Sequence, residues 1–153
     1  MTAAVHIDRD ADATPADEAF ELWVSAVFDH TPAPTPSEIS PELSIRCVEL
    51  DEMTEANSRF RQKTGATDVL SFPVDPDLIQ KTGLLGDILI CAPVVTAEAE
   101  RQGKDVSHHW AHLTVHGTLH LLGFDHIEDD QAQQMEALEI AILNSLTIPN
   151  PYA

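Results

Sequence analysis

The segment VHGTLHLLGFDH, residues 115–126, sets the strictest condition on how this chain can fold. It places His116, His120 and His126 in an otherwise apolar stretch, and a helix there would carry His108, His112, His116 and His120 as a ladder on one drifting face. At about 1.5 Å of rise per residue the ladder from His112 to His120 spans about 12 Å, whereas imidazoles sharing one zinc each bring a nitrogen to about 2.1 Å from it. One ion can therefore use one adjacent pair of rungs and must find its third ligand elsewhere. Gly123 offers a left-handed residue at which the helix stops and reverses, returning His126 toward the last turn. The pattern H-x-x-x-H-x-x-G-x-x-H thus selects His116, His120 and His126, three neutral nitrogen ligands that leave a fourth tetrahedral position for water or substrate. The plain alternative is a helix that merely packs and caps with histidines, and for a lone histidine that reading is the better one. His108, His109 and His112 are read in that way. Cys91, in an apolar run, reads as an inert buried thiol before a fourth ligand.

Metzincin proteases share this histidine spacing but carry a glutamate directly after the first histidine, where it acts as general base. Here that residue is Gly117. Phosphodiester cleavage asks instead for a Lewis acid on a phosphoryl oxygen and positive charge near the developing anion. The segment SRFRQK can supply that charge: Arg59, Arg61 and Lys63 are three of only eight Lys and Arg residues in a chain of formal net charge −18. Arg61 ranks above Lys63 because a guanidinium grips a phosphate bidentately where an ammonium is a point charge. A solvated helix face is the plain alternative for the cluster. The overall negative charge repels polyanions at long range, so a partner that presents the substrate is expected.

A chain of 153 residues accommodates one domain with a core of its own. Four β-type runs, at 3–8, 43–50, 67–74 and 86–93, alternate irregularly with five helical patterns, which predicts an α/β (α+β) fold. The helices include one with Phe20, Trp23, Val24 and Val27 on a shared face, one ending near Lys63, and a last one with Met135, Leu138, Ile142 and Leu146 aligned. Residues 30–42, rich in proline, read as an exposed connector and PVDPDLIQKTG, 73–83, as a flexible loop. Cys47 and Cys91 suit reduced thiols and a cytoplasmic protein. No stretch has the continuous apolar length of a membrane span, and no membrane partner is expected.

FRQKTGATDVLSFP, LLGDILIC and HWAHLTVHGTLHLLGFDHIEDD resemble, in the same order, three blocks of the bacterial YbeY-type endoribonucleases that mature ribosomal RNA. The resemblance covers 43–147 well and the first forty residues weakly. It implies a single-domain α/β metalloprotein with a small mixed four-stranded sheet and about five helices. It also implies one Zn2+ per chain on His116, His120 and His126, and a functional arginine at Arg61; the charge cluster itself makes Arg59 and Lys63 neighbouring substrate contacts. The implied role is cleavage of single-stranded RNA at the 3′ end of the small-subunit ribosomal RNA and in ribosome quality control, with the small ribosomal subunit and its proteins as partners and no DNA. Ala66 stands where the family usually has proline, and Phe60 and Phe124 where tyrosine is common. Asp87 is read as structural, pairing or capping near the site. Two other readings stay open: a ribosome-assembly binding factor with a structural zinc, and a zinc metalloprotease.

Overall fold

Along β2 (Glu42–Val48) the side chains of Leu43, Ile45 and Cys47 alternate with their neighbours and are fully buried, so one face of this strand is the inner face of a sheet. The computed structural model describes residues 3–125 and 127–153. Among them β2 is flanked by two parallel neighbours, β1 (Ala4–Arg9) and β4 (Leu84–Cys91), and β3 (Val69–Pro73) runs antiparallel to β4 at the edge. The order β1-β2-β4-β3 is the small mixed four-stranded sheet of a single α/β domain.

The helices among the described residues are α1 (Asp17–Asp29), α2 (Leu50–Arg61), α3 (Pro76–Thr82), α4 (Ala92–Gln102), α5 (Val106–Leu121) and α6 (Asp129–Ser145). The main core joins Ile45, Ile88 and Ile90 of the sheet to Phe20 and Val27 of α1, Leu119 of α5 and Ile142 of α6. Phe20 meets Trp23 and Trp110 edge-on, with ring centroids 5.6 and 6.0 Å away. A smaller cluster of Val48, Met53, Leu70 and Cys91 seats α2. Cys47 and Cys91 are both buried free thiols.

Helix α5 packs against β3, β4, α1, α4 and α6, so it is buried on most of its circumference. His109 on this helix is buried, and the His112 and His116 side chains are only 13% and 21% exposed, so the fold supplies much of what their rings bond to.

Three local expectations are corrected. The segment read as a flexible loop holds α3, because Asp75 caps it by accepting from the Asp77 N–H at 2.9 Å, Pro76 opens it and Gly83 ends it. The proline-rich connector is irregular but tied down: Thr35 is buried and donates to the Ile39 carbonyl, and Gln80 of α3 donates to the Pro34 carbonyl. Leu50 does not extend β2; it opens α2 and is half exposed.

Candidate functional site

Asp105 caps α5, accepting from the N–H groups of Ser107 and His108 at 2.8 and 3.2 Å. The helix then carries His116 and His120 one turn apart, with ring centroids 4.6 Å from each other and the two Nε2 atoms at 3.1 Å. Two nitrogens bound to one tetrahedral zinc at about 2.05 Å lie about 3.3 Å apart, so the pair is spaced as a chelating edge. Beyond it Gly123 takes φ +98° and its N–H donates to the His120 carbonyl at 3.0 Å, while Phe124 donates to Leu119 at 3.1 Å. The helix stop expected at Gly123 is therefore formed; His126, the third ligand expected from the sequence, lies outside the described residues.

On the other side of the His116 ring, Nδ1 is 3.2 Å from Oε2 of Glu139 on α6, and the same oxygen is 2.9 Å from Nε2 of His112. Glu139 is only 1% exposed. Burial by itself would push its carboxyl up, but the bonds to His112 and His116 outweigh that and hold it down at about 2. An ionised carboxylate can only accept, so a proton of His116 sits on Nδ1, and Nε2 is the atom that faces His120. That tautomer, with a carboxylate behind the ring, is the one a metal-ligating histidine uses.

Arg61 and Lys63 line the same cleft of about 580 Å³ as His116 and His120, with Asp68, just before β3, and Ser71 of β3 on its wall. Arg61 ends α2, where a cation complements the helix C-terminus, and Lys63 follows the left-handed residue Gln62. The buried Asn57 holds this turn, donating to the Gly65 carbonyl at 2.9 Å while its own carbonyl accepts from the Lys63 N–H at 3.3 Å. Gly117 faces the sheet: Ser71 donates to its carbonyl at 3.2 Å, and a Cβ there would meet Ile88 at 2.9 Å. The position that holds the metzincin base is therefore turned away from the cleft.

Arg59 is not part of this arrangement. It lines a groove of about 870 Å³ built on Ser44, Arg46, Phe72 and Asp87, strand positions that alternate with the core residues and so belong to the opposite face of the sheet. Its guanidinium lies 5.6 Å from the Phe60 ring centroid. Asp87, expected near the histidines, lines that same groove instead.

The family model described as "Endoribonuclease YbeY" matches residues 6–147. The chain belongs to the YbeY endoribonuclease family. The match to the YbeY family takes in most of the first forty residues, where the three sequence blocks gave little. A Pseudomonas putida protein named "Endoribonuclease YbeY" is 49% identical over 142 residues, covering 92% of this chain and 87% of its own length. A protein of the same name from Idiomarina loihiensis is 46% identical over 138 residues, covering 90% and 83%. In fold, the chain is similar to a Thermotoga maritima protein whose structure was determined in solution, with a TM-score of 0.60 at 21% identity over 94% of this chain and 91% of that one.

Two features of this YbeY-family chain escaped the sequence reading. Glu139 breaks the apolar face of α6 one turn after Met135, a buried acid that a helical wheel marks as needing a partner. The second is a group that could hold a metal ion: ligand atoms of Asp68, Glu98 and His109 lie within 4.8 Å of one another. His109 Nε2 is 2.8 Å from Glu98, whose carboxyl is pushed up by burial and by Asp68 against the pull of that hydrogen bond. Asp68 precedes β3, Glu98 is on α4 and His109 on α5, and no spacing in the sequence joins them.

Proposed function

We propose that this chain is a zinc-dependent endoribonuclease of single-stranded RNA, with one ion held by His116, His120 and His126. The observation that carries the reading is the His116–His120 pair of Nε2 atoms, 3.1 Å apart, in one cleft with Arg61 and Lys63. When bound, zinc supplies Lewis acidity toward a phosphoryl oxygen or a water. Arg61 stabilises charge on the nonbridging oxygens of the scissile phosphate through its planar fork of donors, and Lys63 adds a point charge that draws the backbone in. Glu139 engages His116 through Nδ1, which orients the ring with Nε2 toward His120. The proposed substrate is the 3′ end of the small-subunit ribosomal RNA, with a further part in ribosome quality control in the cytoplasm. DNA and membranes are not proposed partners; no helix among the described residues is long and apolar enough to cross a bilayer.

The test is Arg61→Ala with zinc content measured in the same preparation. Loss of single-strand cleavage with zinc retained supports the reading, and unchanged cleavage removes Arg61 from it. A cyclic phosphate on the products would identify the RNA 2′-hydroxyl as nucleophile, and its absence would identify water.

One observation favours a second reading. The groove on the other sheet face gathers Asp8, Asp51, Glu52, Glu55 and Asp87, which suits docking on basic ribosomal proteins and hence an assembly factor whose zinc is structural. Ribosomal proteins captured by the chain, together with an intact cellular phenotype in a folded His120→Ala variant, would favour it. Arg59 takes part in this second groove and is a substrate contact only if RNA reaches that face. The protease reading loses its base at Gly117.

A further inference from the structure

Residues 148–153 follow α6 and lie beyond the span matched by the family model. The segment turns back across α5, tied to the rest of the protein at two points and braced by one bond of its own. Ile148 N–H donates to the Leu143 carbonyl at 2.9 Å, Lys104 Nζ donates to the Pro151 carbonyl at 2.9 Å, and Tyr152 N–H donates to Asn150 Oδ1 at 2.8 Å. These bonds set the Tyr152 ring edge-on to His112, centroids 5.3 Å apart, and aim its hydroxyl at the buried carboxylate of Glu139. The hydroxyl donates to Oε1 at 2.9 Å, while Oε2 is the atom that faces His112 and His116.

Three side chains, two from α5 and one from the segment after α6, thus converge on one carboxylate. His112 and His116 share a single oxygen, so both of their contacts hold the carboxylate at one end. The bond from Tyr152 holds the second oxygen, so the carboxylate is fixed at both ends. We propose that Tyr152 is a positioning residue for the metal centre, fixing the His116 imidazole through Glu139. The inference deepens the proposed function and rests on His116 being a metal ligand. Partners one bond outside a metal's ligands typically govern affinity about 10–100-fold, and Tyr152 acts one bond further out, so an effect of about tenfold is expected.

The experiment uses full-length protein freed of metal with a chelator and titrated with Zn2+ against a chromophoric competitor, and separately with Co2+ read by its visible absorption. Tyr152→Phe keeps the ring against His112 and deletes only the hydroxyl; Glu139→Gln removes the carboxylate charge, and His120→Ala identifies the signal that belongs to the histidine pair. The expected result for Tyr152→Phe is Zn2+ binding about tenfold weaker with a changed Co2+ spectrum, at an apo melting temperature within a few degrees of wild type, and a larger loss of about 10–100-fold for Glu139→Gln. Wild-type affinity and spectrum in Tyr152→Phe overturn the inference while leaving the metal site intact. A wild-type Co2+ signal that is absent, or equally strong in His120→Ala, overturns the metal reading of the pair and the inference with it.

Discussion

Arg59 and Arg61, two residues apart on α2, line different clefts: Arg61 that of His116 and His120, and Arg59 the groove of Asp8, Arg46 and Asp87. Two positions on a helix differ by about 200° of rotation, so the neighbours in sequence are opposed in space. Arg61→Ala is expected to lower kcat/KM for single-stranded RNA by about 10²–10³-fold, the scale of losing a group that stabilises transition-state charge. Arg59→Ala is expected to change it by less than about threefold, a loss of peripheral charge only. Steady-state cleavage on the two variants, each with zinc content verified, checks the contrast; equal losses would mean that RNA wraps both faces.

Gly117 lets α5 approach the sheet, since a Cβ there would meet Ile88 Cγ2 at 2.9 Å and Ser71 Oγ at 3.3 Å. Gly117→Ala is expected to cost about 1–3 kcal/mol through overpacking. For a chain of this size that lowers the melting temperature by about 3–10 °C. A thermal melt decides it, and an unchanged Tm would show that Ile88 yields freely.

Arg46 forks onto Glu52 with bonds of 2.7 and 2.8 Å and also pairs with Asp8 and Asp10. The bond from Arg46 holds the Glu52 carboxyl below its ordinary value, against the smaller effect of burial. A carboxyl depressed in the folded state stabilises above its unfolded value of about 4.3 and loses that contribution as pH falls through the lower folded value. Wild type should therefore melt above Glu52→Gln at neutral pH, with the gap closing in melts taken below about pH 4. Both partners are about one-third exposed, so the gap stays within about 1 kcal/mol. A gap that persists unchanged at low pH would assign it to packing.

Burial raises the Cys47 thiol to about 11, and Cys91 is raised for the same reason. At mildly alkaline pH a thiol-specific disulfide reagent should label neither residue until the protein is unfolded. Rapid labelling of the native chain would contradict the burial of both.

Much of the fold was legible because its signals are local. The alternation of Leu43, Ile45 and Cys47 marks a strand whose one face is buried, and Asp105 and Gly123 mark the ends of the histidine helix. What failed had no local signal. Helix α3 buries none of its side chains, so it has no apolar period and only its caps announce it. The His116–His120 pair could be read from four-residue spacing, but its support comes from Glu139 and Tyr152, 23 residues after His116 and 13 beyond that. Asp68, Glu98 and His109 converge only once β3, α4 and α5 are packed. The split between Arg59 and Arg61 was available from helix geometry, and the charge cluster hid it.

The central claim is that the histidine pair holds a zinc on which RNA cleavage depends. The most direct measurement is zinc content by elemental analysis, with single-stranded RNA cleavage assayed in the same fractions, on untagged wild type and His116→Ala. Wild type is expected to carry a zinc which His116→Ala loses, and cleavage is expected to disappear with it. Cleavage at the wild-type rate by His116→Ala, or by wild type stripped of metal, would contradict it.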